Sequence, residues 1–295
     1  MKPALLALLM AAGAAFAAES QPKSPPVMPP GVRWEPDVEF LGPQRKEKAD
    51  LYLPIATNGA PRRPAVLIIH GGGWNTGDKA QGREQNLGTN LAMRGYVAMS
   101  INYRLCTGSQ PTWPQPLHDC KTAVRWLRKE ATKLQVDPER VGVIGGSAGG
   151  HLAAKLAMTG PKDGLDPDGP YGEFSCGVRC AVDLYGPAEL MDYHDLKMLG
   201  KTRAEAPGLY RAASPTTYAD AGDAPILILH GTADETVSLS QSEKLAAVLK
   251  QVGARHEFVV VEGAPHTFHL QPKQRDLRPL VLGFFDQYLA TPAAR

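Results

Sequence analysis

Val141-Gly142-Val143-Ile144-Gly145-Gly146-Ser147-Ala148-Gly149-Gly150-His151 joins an apolar run, a glycine-rich turn and the start of a helical pattern. Val141–Ile144 reads as a buried strand, and the segment from Ala148 through Met158 reads as a helix. The G-x-S-x-G turn therefore lies where a strand hands over to a helix, the setting of a nucleophile elbow. Flanking glycines carry no side chain, so the backbone can take a strained turn and lift the Ser147 hydroxyl clear. Two plainer readings compete. The serine could simply cap the helix, or the glycine-rich helix start could hold a dinucleotide phosphate. The phosphate reading lacks its other half, because no G-x-G-x-x-G follows the first strand and no Walker lysine occurs.

Outward from this turn the same alternation continues. Ala65-Val66-Leu67-Ile68-Ile69 is a continuous apolar run, as a strand buried on both faces requires. Tyr96–Ile101, Cys180–Tyr185, Ile226–Leu229 and Phe258–Val261 repeat it. Between them, Pro116–Leu134 places Ala123, Val124, Leu127, Ala131 and Leu134 on one helical stripe, and Ser240–Val252 and Leu280–Leu289 look similar. Strands alternating with helices predict an α/β fold with a mostly parallel sheet covered on both faces. Val38–Phe40 and Ala49–Leu53 suit an antiparallel lead-in pair. With no internal repeat and no linker, a single domain is expected over 37–290, after a flexible Pro-, Ser- and Lys-rich stretch at 18–36. Residues 160–222, rich in Gly, Pro and Asp, are the least regular and could shape one wall of a site.

Three more loops fall at carboxyl ends of strands, the edge where open parallel sheets bind ligands. His70-Gly71-Gly72-Gly73-Trp74 follows Ile69. Its glycines would let backbone N–H groups approach a developing oxyanion, and Gly72, Gly73 and the N–H of Ala148 are the candidate donors. A plain flexible loop is the alternative. His70 is expected to brace the loop rather than move protons, and Trp74 either lines the substrate pocket or packs in the core. His230-Gly231-Thr232-Ala233-Asp234-Glu235 and Gly263-Ala264-Pro265-His266-Thr267-Phe268 follow two later strands. Alone, Asp234 could be a turn former and His266 a surface residue. Together with Ser147 they give the chain order Ser, Asp, His of an acyl-transfer triad, with Glu235 as fallback acid. His266 and His269 form H-x-x-H without companion zinc ligands, and Asp163, Asp166 and Asp168 lack calcium-loop spacing, so neither metal nor organic cofactor is expected.

Composition bounds the class. The chain has 295 residues, 43% of them hydrophobic, which suits one large globular domain. Its 32 basic and 30 acidic residues are interspersed, so the charge footprint of a nucleic-acid binder is missing. Lys2, the apolar run Ala4–Phe16 and Ala15-Phe16-Ala17 read as a signal peptide over 1–17, implying a secreted or periplasmic protein. The run is about 13 residues against the roughly 20 of a membrane span, and no cysteine follows it for lipid attachment. Loss of Lys2 with the peptide takes the net charge from +2 to +1. Export permits disulfides among Cys106, Cys120, Cys176 and Cys180. Cys176 and Cys180 would lie about 13 Å apart in an extended strand, too far to bridge. Cys106–Cys120 is the better pair, with buried thiols as the alternative.

The four loops, with Asn102-Tyr103-Arg104, Asp119-Cys120-Lys121-Thr122-Ala123-Val124-Arg125-Trp126-Leu127-Arg128 and Ala213-Ser214-Pro215, carry a family resemblance. The chain resembles the α/β-hydrolase fold, specifically exported esterases with an H-G-G-G-W oxyanion loop near the hormone-sensitive-lipase-like group. It is most similar to the branch that includes bifunctional acetylxylan and feruloyl esterases, over about 37–290. The resemblance implies a serine esterase acting through Ser147, His266 and Asp234 on acetyl or feruloyl-type short acyl esters, either small molecules or ester-decorated polysaccharides. The interspersed charge predicts no nucleic-acid partner, and the lack of any later long apolar stretch predicts no stable membrane association. Two departures stand out. The first residue of N-Y-R is often Asp in such enzymes, and no large cap precedes the strand motifs, unlike lipases of long-chain lipid. A general short-chain carboxylesterase, an aryl formamidase or amidase, and a catalytically inactive binding module are the alternatives.

Overall fold

The computed structural model describes residues 27–55 and 61–290. The expected signal peptide at 1–17 lies outside them. In chain order the elements are β1 (Val32–Val38), β2 (Ala49–Pro54), β3 (Arg63–Ile69), α1 (Gly82–Arg94), β4 (Val97–Ile101), α2 (Gln115–Lys129), α3 (Ala131–Leu134), β5 (Val136–Gly146), α4 (Ala148–Met158), β6 (Cys180–Leu184), α5 (Pro207–Ala213), β7 (Ile226–Ala233), α6 (Ser240–Val252), β8 (His256–Pro265) and α7 (Arg278–Leu289).

The strands form one sheet in the order β1-β2-β4-β3-β5-β6-β7-β8. β2 runs antiparallel to β1 and β4, and the remaining pairs are parallel. The apolar runs are explained by burial on both faces. Ala65, Leu67 and Ile69 of β3 join a core with α2, α4 and α6, while Val66 and Ile68 join a second core with α1 and α7. Each buried Leu or Ile contributes about 1.5–3 kcal/mol relative to exposure. This is an α/β-hydrolase fold, and no large cap domain is inserted among the described residues. Nor is any described helix long and apolar enough to cross a membrane.

Register aligns the carboxyl ends. Ile69 pairs with Gly145, and Gly146 pairs with Leu184. The chain leaves β3 for one side of the sheet and returns to β5 on the other, which opens a crevice at their shared edge. The turns after β3, β5, β7 and β8 all open on that edge.

Several expectations need correction. The first strand is Val32–Val38 rather than Val38–Phe40, so Val32–Pro36 belong to the sheet and not to the lead-in. It was hard to read because only Val32 of β1 is buried, Pro36 interrupts it, and a register shift between Glu35 and Val38 accompanies Asp37 at φ 56°. The stripe at 116–134 is split by Glu130 into α2 and α3. No disulfide forms: all four cysteines are buried free thiols. Cys106 Sγ turns to the carbonyls of Gly108 and Gln110 in its own loop, while Cys120 is enclosed in α2.

The irregular stretch beyond α4 is held from beneath by α2. Lys121 Nζ donates to Thr159 O and to Asp166, and Arg125 donates to Pro167 O. Arg128 spreads its guanidinium over the carbonyls of Pro138, Ser175 and Gly177. Farther on, the region contains α5 and short helical turns at Leu190–Asp192 and Pro215–Tyr218.

Candidate active site

Ser147 links β5 to α4 at φ 58° and ψ −122°, a backbone conformation costly for any residue but glycine. The strain is held by close packing. A Cβ on Gly145 would lie 2.2 Å from Gly149 O, and one on Gly149 would lie 2.0 Å from Ile69 O. Ser147 N donates to Leu184 O at 2.8 Å, tying the turn to β6. The serine side chain makes no helix-capping hydrogen bond, so capping does not account for it.

The glycine loop after β3 touches this turn directly: a Cβ on Gly71 would stand 3.2 Å from Ser147 Cβ. Gly72 and Gly73 adopt φ 107° and 59°, and Gly72 O accepts the amides of Asn75 and Thr76, both at 3.0 Å. Among the described residues the amides of Gly72, Gly73 and Ala148 donate no hydrogen bond, leaving three donors unengaged in the glycine loop and at the start of α4. Ala148 also opens α4, whose dipole favours negative charge there.

His70 is a brace. Its Nδ1 meets Gly71 O at 2.6 Å, and its ring stacks on Tyr103 at 4.4 Å. Burial pushes its imidazole down to about 4. Trp74 is packed, only 5% exposed, and its indole N–H donates to His151 Nδ1 at 3.2 Å. The core alternative describes how this tryptophan is packed. His151 lay outside the sequence motifs; its place one turn beyond the serine shows neither of the partners that give it a role. Its Nε2 donates to Ala213 O at 2.9 Å, so one fully buried neutral ring ties the glycine loop, α4 and α5 together.

The departure at Asn102 also finds its reason. The Asn102 Oδ1 accepts Lys79 N at 2.7 Å while Nδ2 donates to Asp78 Oδ2 at 2.9 Å. An Asp at 102 would set two carboxylates against each other and lose the donor.

Asp234 and His266 meet across the β7–β8 edge, with Asp234 Oδ2 2.6 Å from His266 Nδ1. The other carboxylate oxygen accepts the amides of Thr236 and Val237, both at 2.9 Å. His230 Nε2 lies 3.3 Å from Asp234 Oδ2 and donates to Val237 O at 2.9 Å. Burial alone would raise the Asp234 carboxyl. The hydrogen bonds from His230, His266 and Val237 outweigh it and hold the group well below the usual carboxylate range. Glu235 is exposed, and the hydrogen bond to His266 Nδ1 is made by Asp234. His269 Nδ1 accepts Gln271 N, so it is occupied by its own loop. Ser147 stands across β6 and β7 from His266, and among the described residues no hydrogen bond joins them.

The BD-FAE family model matches residues 49–249. Among curated proteins, the chain is similar to esterase LipQ of Mycobacterium tuberculosis, 30% identical over 245 residues that cover 79% of this chain and 57% of that protein. It is also similar to esterase LipC of the same organism, 30% identical over 68% of this chain and 54% of the relative. The chain thus spans about half the length of the curated relatives it matches. A truncated carbohydrate esterase from gut microbiota superposes with a TM-score of 0.77 at 25% identity, covering 88% of this chain and 97% of that one. The thermophilic esterase Est2 of the Planctomycetes species Thermogutta terrifontis gives 0.72 at 30% identity, covering 90% and 96%.

Proposed function

The chain belongs to the BD-FAE family, and from that premise we propose that it is an exported serine hydrolase of carboxylic esters, removing acetyl or feruloyl-type acyl groups from carbohydrate or small-molecule esters. The observation that carries the reading is the 2.6 Å pairing of His266 Nδ1 with a buried, ionised Asp234, on the sheet edge that also bears the strained Ser147 turn.

The chemistry follows from these positions. Asp234 holds the Nδ1–H of His266, which leaves Nε2 free to accept a proton and stabilises the imidazolium that results. Ser147 Oγ attacks the ester carbonyl carbon as His266 Nε2 takes its proton. The carbonyl oxygen becomes an oxyanion facing the amides of Gly72, Gly73 and Ala148. Collapse breaks the bond to the alcohol, and His266 returns the proton to that leaving oxygen. A water then loses a proton to His266 and attacks the acyl-serine. The carboxylic acid departs and Ser147 regains its proton.

Short acyl groups fit the lack of a large inserted cap among the described residues. A carbohydrate substrate is supported by the likeness to a gut carbohydrate esterase and by a net charge near zero, which gives no strong pull toward polyanions. Export rests on the pattern at 1–17.

The test is a panel of acetylated xylan, methyl ferulate, short- and long-chain p-nitrophenyl esters and an N-formyl aromatic amide, run with wild type and Ser147→Ala. Short esters should be hydrolysed, and Ser147→Ala should lose at least about 10³-fold in kcat. Substantial activity in Ser147→Ala sinks the mechanism. Preference for the formyl amide would reassign the substrate, and indifference to acetylated xylan would remove the carbohydrate role.

A further inference from the structure

Behind the candidate site lies a buried pair that the mechanism above does not use. Tyr185 directly follows β6, between the strands that bear Ser147 and Asp234, and holds φ 45°, an outlier for a bulky residue. Its amide is fixed to Leu229 O at 2.7 Å. Its ring meets the rings of His266 and Phe268 edge-on, with centroids 4.7 Å and 4.6 Å away. The phenol donates to Phe268 O at 2.6 Å and accepts from Arg83 Nη1 at 3.1 Å.

Arg83, with a side chain only 10% exposed, is paired to Glu84 and reaches the two other parts of the site. A Cβ on Gly146 would lie 2.6 Å from Arg83 Nη1 and 3.0 Å from the Tyr185 hydroxyl. One on Gly71 would lie 3.2 Å from Arg83 Nη2. The guanidinium thus backs the start of the glycine loop and the residue before Ser147, and through the phenol it fastens the main chain two residues beyond His266.

We propose that Arg83 and Tyr185 are positioning residues that hold the His266 loop in register with the Ser147 turn and the glycine loop. The inference rests on the serine-hydrolase reading. Asp234 holds His266 at Nδ1, one hydrogen bond about which the ring can still turn, while Asn86 anchors the loop only farther on, at Leu270 and Gln271. The Tyr185–Phe268 hydrogen bond is a further point of attachment close to the imidazole, and the Tyr185 ring, in edge-type contact at 4.7 Å, limits how far the imidazole can move. A charge-assisted chain in a dry interior is stiff, and an imidazole displaced by about 1 Å can cost about 10²-fold in rate.

The test is Tyr185→Phe, which keeps the ring and removes both hydrogen bonds of the phenol, assayed on a short p-nitrophenyl ester. The expected result is a kcat lower by about 10- to 100-fold with KM within about twofold. In a His266→Ala background the same change should alter the residual rate less than about twofold, because no imidazole remains to be positioned. A residue that merely holds the fold together would lower both backgrounds by the same factor. Arg83→Lys, which keeps the charge and loses the planar fork, is carried through the same cycle, so the inference stays testable if Tyr185→Phe fails to fold. Wild-type kcat in Tyr185→Phe, or equal losses in the two backgrounds, overturns the proposal. The reading it rests on fails differently, through absence of Ser147-dependent hydrolysis in the wild type.

Discussion

His151 is neutral because it has to be. Burial lowers its imidazole to about 3, the hydrogen bond to Ala213 O opposes that only in part, and Lys155, when charged, pushes in the same direction as burial. An unfolded histidine titrates near 6.5. Below about pH 6.5 the unfolded chain therefore binds a proton here that the folded chain refuses. Stability contributed at this position falls with pH by about 1.4 kcal/mol per unit until the folded ring itself titrates near 3. His151→Gln keeps an acceptor for Trp74 and a donor for Ala213 without a titrating group. Urea midpoints of wild type and variant, followed from pH 7 to pH 4, should diverge steadily in favour of the variant. Parallel curves would show that His151 does not enter the folded state neutral. The serine motif was legible from local sequence, while His151 was not, because its partners Trp74 and Ala213 are distant in the chain and only the fold brings them together.

At the scale of elements, the turn works because β3, β5 and α4 approach more closely than side chains allow. Gly149→Ala places a methyl 2.0 Å from Ile69 O, so α4 must move away from β3. Its expected cost is at least about 1–3 kcal/mol, read in thermal melts, together with loss of the proposed esterase activity. Gly283→Ala is the matched control. It sits in α7 with nothing within 4 Å of the added carbon, and should stabilise by roughly 0.5–1 kcal/mol. Equal melting shifts for the two would refute close packing at the elbow. The inner strands were plain in the sequence because burial on both faces leaves only apolar residues. β1 and α1 were not, since β1 buries only Val32 and α1 carries few apolar side chains. α1 instead packs Gly88 against the Tyr52 ring, a closeness that no apolar count reveals.

Across the whole molecule, a frame of two cores on one sheet presents its loops at a single edge. The frame and the order of its loops follow from sequence patterns. The cysteine pairing and the packing of Trp74 do not, because each depends on which way a side chain turns after folding. The grip of α2 on the segment after α4 has a consequence for variation. Arg125 and Arg128 hold carbonyl oxygens of Pro167, Ser175 and Gly177, which every amino acid supplies. Asp166 is different, because Lys121 binds its side chain and would be left a buried cation without its counter-charge. Saturation mutagenesis of 164–177 should find melting temperatures little changed at Ser175, with Asp166→Ala destabilising by about 3–5 kcal/mol. Uniform tolerance, or uniform intolerance, would contradict this. A segment anchored through atoms common to all residues is free to drift in sequence while keeping its place, and lineages of this fold can rewrite it without first rebuilding the scaffold.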